Sequence, residues 1–188
     1  MKIAPMLILR LGLLAVAVVI VQTAAISQVS LFGTSPDLTP LFVMSVALLL
    51  GSVPGALMGF GMGLLIDTLL LQTLGVSSLV FTVVGYGVGR YRELRDPANS
   101  LTPVAVGAAA TVASMLGFAM VQFLLGIDAP VSLLLIRDVV ITIIVNALLA
   151  LPVFILVRRV VLPYLPDDPR RRRRRAYTTG GLSPLSRS

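Results

Sequence analysis

Residues 51 to 67 read GSVPGALMGFGMGLLID, and how this stretch is read decides the fold. Gly51, Gly55, Gly59 and Gly63 recur at every fourth position, and the next place in that series is Asp67. In water the segment would be a poor helix, because each interior glycine costs about 0.8–1 kcal/mol relative to alanine. In lipid the backbone must satisfy its own hydrogen bonds, and a helix is the way to do so. Residues four apart lie on one ridge, so the glycines cut a smooth groove in which a second helix can approach closely. One turn beyond the groove stands a carboxylate.

The surrounding composition supports a membrane setting. Of the 188 residues, 57% are hydrophobic and only 12% charged, far from the usage of a soluble domain. The chain has no cysteine and no histidine, which excludes disulfides, thiolate or imidazole metal sites and Ser-His or Cys-His nucleophile pairs. No catalytic constellation, cofactor site or metal site is expected. The net charge of +7 is concentrated, with Arg170, Arg171, Arg172, Arg173, Arg174 and Arg175 supplying six of the fifteen basic residues. In a membrane protein such a run reads as cytoplasmic orientation and contact with anionic lipid or a partner, and not as a nucleic-acid site.

The first apolar span is Met6 to Ser27, behind Lys2 and carrying Arg10. A cleaved signal peptide is the competing reading, set aside because the apolar run is long and more spans follow. Gln28 to Pro40 is a polar connection in which Asp37 is placed to cap the next helix. Leu38 to Leu71 is then apolar throughout. As one helix it would be about 51 Å long, against a hydrocarbon core of about 30 Å. Charge parity decides for two spans broken at Gly51-Ser52-Val53-Pro54. A single span would send Arg90, Arg92 and Arg95 across the membrane, against the positive-inside rule.

Leu74 to Gly89 is the fourth span and Leu101 to Leu125 the fifth. In the fifth, Ala105, Ala109, Ala113 and Gly117 also recur every four residues, so that helix is expected to lie in the glycine groove. The sixth, about Val131 to Val161, is long enough to need a tilt or a bend near Pro152. The expected fold is all-α: six transmembrane helices in one bundle over residues 1–165, both termini cytoplasmic, and a basic disordered tail over 166–188.

Charged groups inside a membrane default to functional hypotheses, and three lie toward the outer side: Asp67, Arg137 and Asp138. A mid-bilayer charge costs about 2.5–3.5 kcal/mol on the insertion scale, and pairing reduces that. Asp67 is therefore expected beside Arg137, as a structural pair, or failing that beside hydroxyls or backbone amides. A proton relay and a partner contact are the alternatives. Gln22, Gln122 and Asn146 read as interhelical hydrogen-bonding groups. Gly59-x-Gly61-x-Gly63 is not a nucleotide fingerprint, since no strand precedes it and its spacing is wrong.

Several of these residues together carry a resemblance. Pro36-Asp37 opens the second span, Gly55-x-x-x-Gly59-Phe60-x-x-Gly63-Leu64-x-x-Asp67 runs through the third, Gly85-Tyr86 closes the fourth, and Asn146 with Pro152 marks the last. Over about residues 30 to 160 the chain resembles the bacterial rod shape-determining protein MreD family. That resemblance implies a multi-pass component of the cytoplasmic membrane that acts in cell-wall elongation with MreC, the MreB filament, RodA and a class B penicillin-binding protein. It also implies a fold like the substrate-binding S components of energy-coupling-factor transporters. A binding subunit of that kind is the alternative function, but the alanine-xxx-alanine docking motif is missing from the first span, where Ala15 is followed by Val19 and Ala17 by Val21. The arginine tail lies outside the resemblance.

Overall fold

A computed structural model describes residues 5–26, 37–71, 73–95, 101–126 and 133–164. The described residues form six α-helices and no strand. Helix α1 is Pro5–Val21, extended by a π-helical turn over Gln22–Ile26; α2 is Leu38–Leu50 and α3 is Ser52–Leu69. Helix α4 is Val76–Leu94, α5 is Thr102–Leu124, and α6 is Leu133–Val161, ending in a 3₁₀ turn over Leu162–Tyr164. The tail with its arginine run lies outside the described residues. Helices α1, α3, α5 and α6 contain segments long and apolar enough to cross a membrane. Helix α2 is shorter, and α4 carries a charged last turn.

Helix α2 is the axle of the bundle. Every residue from Thr39 to Leu50 is buried, and α3, α4, α5 and α6 all pack on it. Its thirteen residues span about 20 Å, less than the hydrocarbon core of about 30 Å. Helix α1 lies more peripherally, burying Leu7, Leu11, Ala15 and Val19 along one four-residue ridge while Ile8, Leu9 and Leu13 stay exposed. Helix α6 runs unbroken through Pro152.

The apolar stretch from Leu38 onward does break in two, and a single residue makes the break. Gly51 has φ +104°, in the region that favours glycine, and it closes α2 and opens α3 at once. Gly51 is therefore the corner between two helices, not the first notch of the groove.

Gly55, Gly59 and Gly63 form the groove, and α4 lies in it. A methyl group on Gly55 would sit 2.6 Å from the Gly85 carbonyl oxygen, and one on Gly59 would sit 2.5 Å from the Phe81 carbonyl carbon. One on Gly63 would meet the backbone of Ser77 and Ser78. Helix α4 answers with its own notches: Gly85 faces Gly55, and Gly89 faces Ser52. The expectation that α5 fills this groove is thus corrected. Only six residues separate the end of α3 from the start of α4, so α4 returns along α3 as its antiparallel neighbour and reaches the groove first. Helix α5 instead sets Gly107 against Met44 of α2 and Ala150 of α6.

Candidate functional site: a capped inner helix and an open groove

The start of α2 poses a strict accounting problem, because the first four N–H groups of a helix lack intrahelical acceptors. Half-buried among apolar helices, an unsatisfied one would cost up to about 1–3 kcal/mol. Here all four positions are accounted for. The Asp37 amide donates to Asn146 Oδ1 at 3.1 Å, the Leu38 amide to Gln22 Oε1 at 2.9 Å, and the Thr39 amide to Asp37 Oδ1 at 3.0 Å. The fourth residue, Pro40, has no N–H. Asp37 is the N-cap its position suggested. Gln22 and Asn146 do bridge helices, each accepting a backbone amide at the start of α2.

Asn146 is wholly buried, and its Nδ2 donates to Thr111 Oγ1 at 3.2 Å. Thr111 in turn donates to the Gly107 carbonyl at 2.9 Å. One chain of polar contacts therefore ties α2 to α6 and α5. Thr111 was not singled out from the sequence, since a threonine at a buried helical position carries no signal of its own. Gln122 lies exposed toward the far end of α5 and takes no part in this chain.

Asp67 is fully buried, but Arg137 is not its partner. Its Oδ2 accepts the Gly75 amide at 2.8 Å, where Gly75 is the left-handed N-cap of α4 with φ +99°. Oδ1 has no hydrogen-bond partner. The carboxylate is held at the positive end of the α4 dipole, which favours it there. Arg137 is exposed, and Asp138 is half-buried with its carbonyl accepting the Thr142 hydroxyl. Among the described residues Asp67 makes no ion pair with Arg137, and the backbone amide of Gly75 takes that place. Among the described residues the ion pair is Arg90–Glu93, at 3.1 Å.

Glu93 is a residue that sequence reasoning missed. Its Oε1 accepts both the Ser52 hydroxyl at 2.6 Å and the Ser52 amide at 2.9 Å, so a carboxylate from α4 caps the start of α3. The Ser52 hydroxyl first, then its amide, and to a lesser degree Arg90 hold the Glu93 carboxyl down at about 2. A serine directly after a helix-breaking glycine was the only trace of this contact in the sequence.

With the α3 groove filled from within, the small residues of α5 remain. An open apolar groove of about 760 Å³ runs between α4 and α5. Ala105, Ala109, Ala113 and Gly117 line one side, and Leu79, Val83, Gly87 and Tyr91 the other. The two helices touch where Gly117 faces Val80 and where the Phe81 and Phe118 rings meet edge to face, centroids 5.6 Å apart.

Fold and polar contacts together define a polytopic α-helical membrane protein built around one enclosed short helix. The family model for rod shape-determining protein MreD matches residues 2–160, and the chain belongs to that family. Its role is in rod shape determination. Among curated proteins and among solved structures no significant match is found.

Proposed function

We propose that this protein is a non-enzymatic membrane scaffold of the cell-wall elongation machinery, which holds the transmembrane helices of partners and so coordinates peptidoglycan synthesis at one place. The partners are those the family resemblance implies: MreC, RodA with a class B penicillin-binding protein, and through them the MreB filament. Both termini face the cytoplasm of a bacterial inner membrane, with the arginine tail against anionic lipid.

One observation carries the reading: a face of small residues on α5 lies open along the groove beside α4. Between membrane helices there is no hydrophobic driving force, so association depends on close van der Waals packing, which small residues permit. The core behind that face is well braced, by the interlocked glycines of α3 and α4 and by the polar chain from α2 to α5. A braced surface presents a docking face with little ordering cost.

Because the chain has no native cysteine, single cysteines can be walked along it in native membranes. Crosslinks to co-expressed partner helices are expected from Ala105, Ala109 and Ala113, and not from Leu9 or Leu13 on the exposed face of α1. Absence of crosslinks from every face of a folded, shape-supporting protein would sink the scaffold reading.

A further inference from the structure

We infer that one water molecule is a resident part of the corner between α3 and α4, where it accepts the Ser78 hydroxyl and donates to Asp67 Oδ1. The site does not depend on the scaffold reading.

The two ends of the α3–α4 pair are built from the same three groups. At one end Glu93 of α4 caps the start of α3, and its Oε1 takes both the amide and the hydroxyl of Ser52. At the other end Asp67 of α3 caps the start of α4, where its Oδ2 takes the Gly75 amide. There the serine is Ser78, and the third contact is not made directly. Neither Ser78 Oγ nor Asp67 Oδ1 has a hydrogen-bond partner, although the two residues are only 2% and 0% exposed. Position explains why Ser78 finds no acceptor in its own helix. Ser45, Thr82, Thr111 and Thr142 each donate to the carbonyl four residues back. For Ser78 that residue is Leu74, which precedes the helix.

Two observations set the orphaned atoms in one corner. With Gly75 as N-cap, Ser78 is the third residue of α4, whose side chain points back toward the N-cap amide. That amide is the one Asp67 holds. On α3, Gly63 packs against the Ser78 backbone, and Asp67 stands one turn further along the same ridge. The corner has room for a small guest: a methyl group on half-buried Gly75 would meet nothing within 4 Å.

The chemistry selects water. A free acceptor and a free hydroxyl donor are complementary to a molecule that both donates and accepts, and a buried water takes about two to four such partners. A metal cation asks for more oxygen ligands, about six to eight for calcium, and would sit against the positive end of the α4 dipole. An apolar guest would leave both polar atoms unpaired.

The test is a crystal structure of the full chain, grown in a lipid mesophase and soaked with rubidium chloride as a cation probe. One density peak is expected about 2.5–3.0 Å from both Asp67 Oδ1 and Ser78 Oγ, without rubidium anomalous signal. Absence of the peak, rubidium at the site, or a direct hydrogen bond from Ser78 to Asp67 would each overturn the inference. In solution, Ser78→Ala removes one partner of the water and should speed hydrogen exchange at the Gly75 amide about fivefold, the effect of one net hydrogen bond. Leu79→Ala, at an exposed neighbour, should leave that rate unchanged. Equal exchange in wild type and Ser78→Ala, or equal acceleration by Leu79→Ala, overturns the bridge.

Discussion

Replacing Gly59 with alanine puts a methyl group in place of one hydrogen, on a helix that should otherwise welcome it. Alanine is the better helix former by about 0.8–1 kcal/mol in water. In this bundle the new carbon would lie 2.5 Å from the Phe81 carbonyl carbon and 2.9 Å from the Thr82 nitrogen, with the Phe81 oxygen nearer still. Carbon atoms rest about 3.5–4.0 Å apart, so α3 and α4 must separate by about 1 Å. All three obstacles are backbone, and no rotamer change relieves them. Overpacking of this kind costs about 1–3 kcal/mol, which lowers the ratio of folded to unfolded protein roughly 5- to 150-fold. The assay is reversible unfolding in mixed dodecylmaltoside and dodecyl sulfate micelles, with Gly61→Ala as the control. Gly61 lies two residues away on the same helix, and a methyl group there meets nothing within 4 Å. Coincident unfolding curves for the two variants would refute the close-packing account of the glycine ladder.

Three further outcomes are expected. Asn146→Leu removes the acceptor of the half-buried Asp37 amide and the donor to the buried Thr111 hydroxyl, and should cost about 1–3 kcal/mol, read as faster hydrogen exchange at the start of α2. Asp67→Asn keeps a side-chain oxygen for the Gly75 amide and should retain stability and shape support, whereas Asp67→Leu should lose about 1–2 kcal/mol of stability; a loss of function in Asp67→Asn alone would point to a role for the charge itself. Glu93 has a folded-state pKa of about 2 against an ordinary 4.5, so its stabilising effect is complete above about pH 4.5 and is lost as pH falls toward 2. Thermal unfolding of the wild type should weaken across that window, and the Glu93→Gln variant should lose that part of the dependence.

Local patterns in the sequence settled a good part of this structure. Charge parity between Lys2 and Arg90–Arg95 required a break after Leu50, and a glycine–proline pair marked where it falls. Asp37 was legible as a cap because capping is a contact between near neighbours, here two residues apart. The spacing of Gly55, Gly59 and Gly63 announced a close helix contact, since any partner in that groove must be near. What spacing leaves open is the identity of the partner, because a helical face specifies what it can receive and not what arrives. Chain connectivity decided for α4 over α5, and so turned α5's own small residues outward. The same limit hid the long-range polar contacts: Ser52 to Glu93 spans 41 residues and Asp37 to Asn146 spans 109. Asp67 was expected beside Arg137 or, failing that, beside hydroxyls or backbone amides, and only the fold decided for the second by placing the Gly75 amide within 2.8 Å of it.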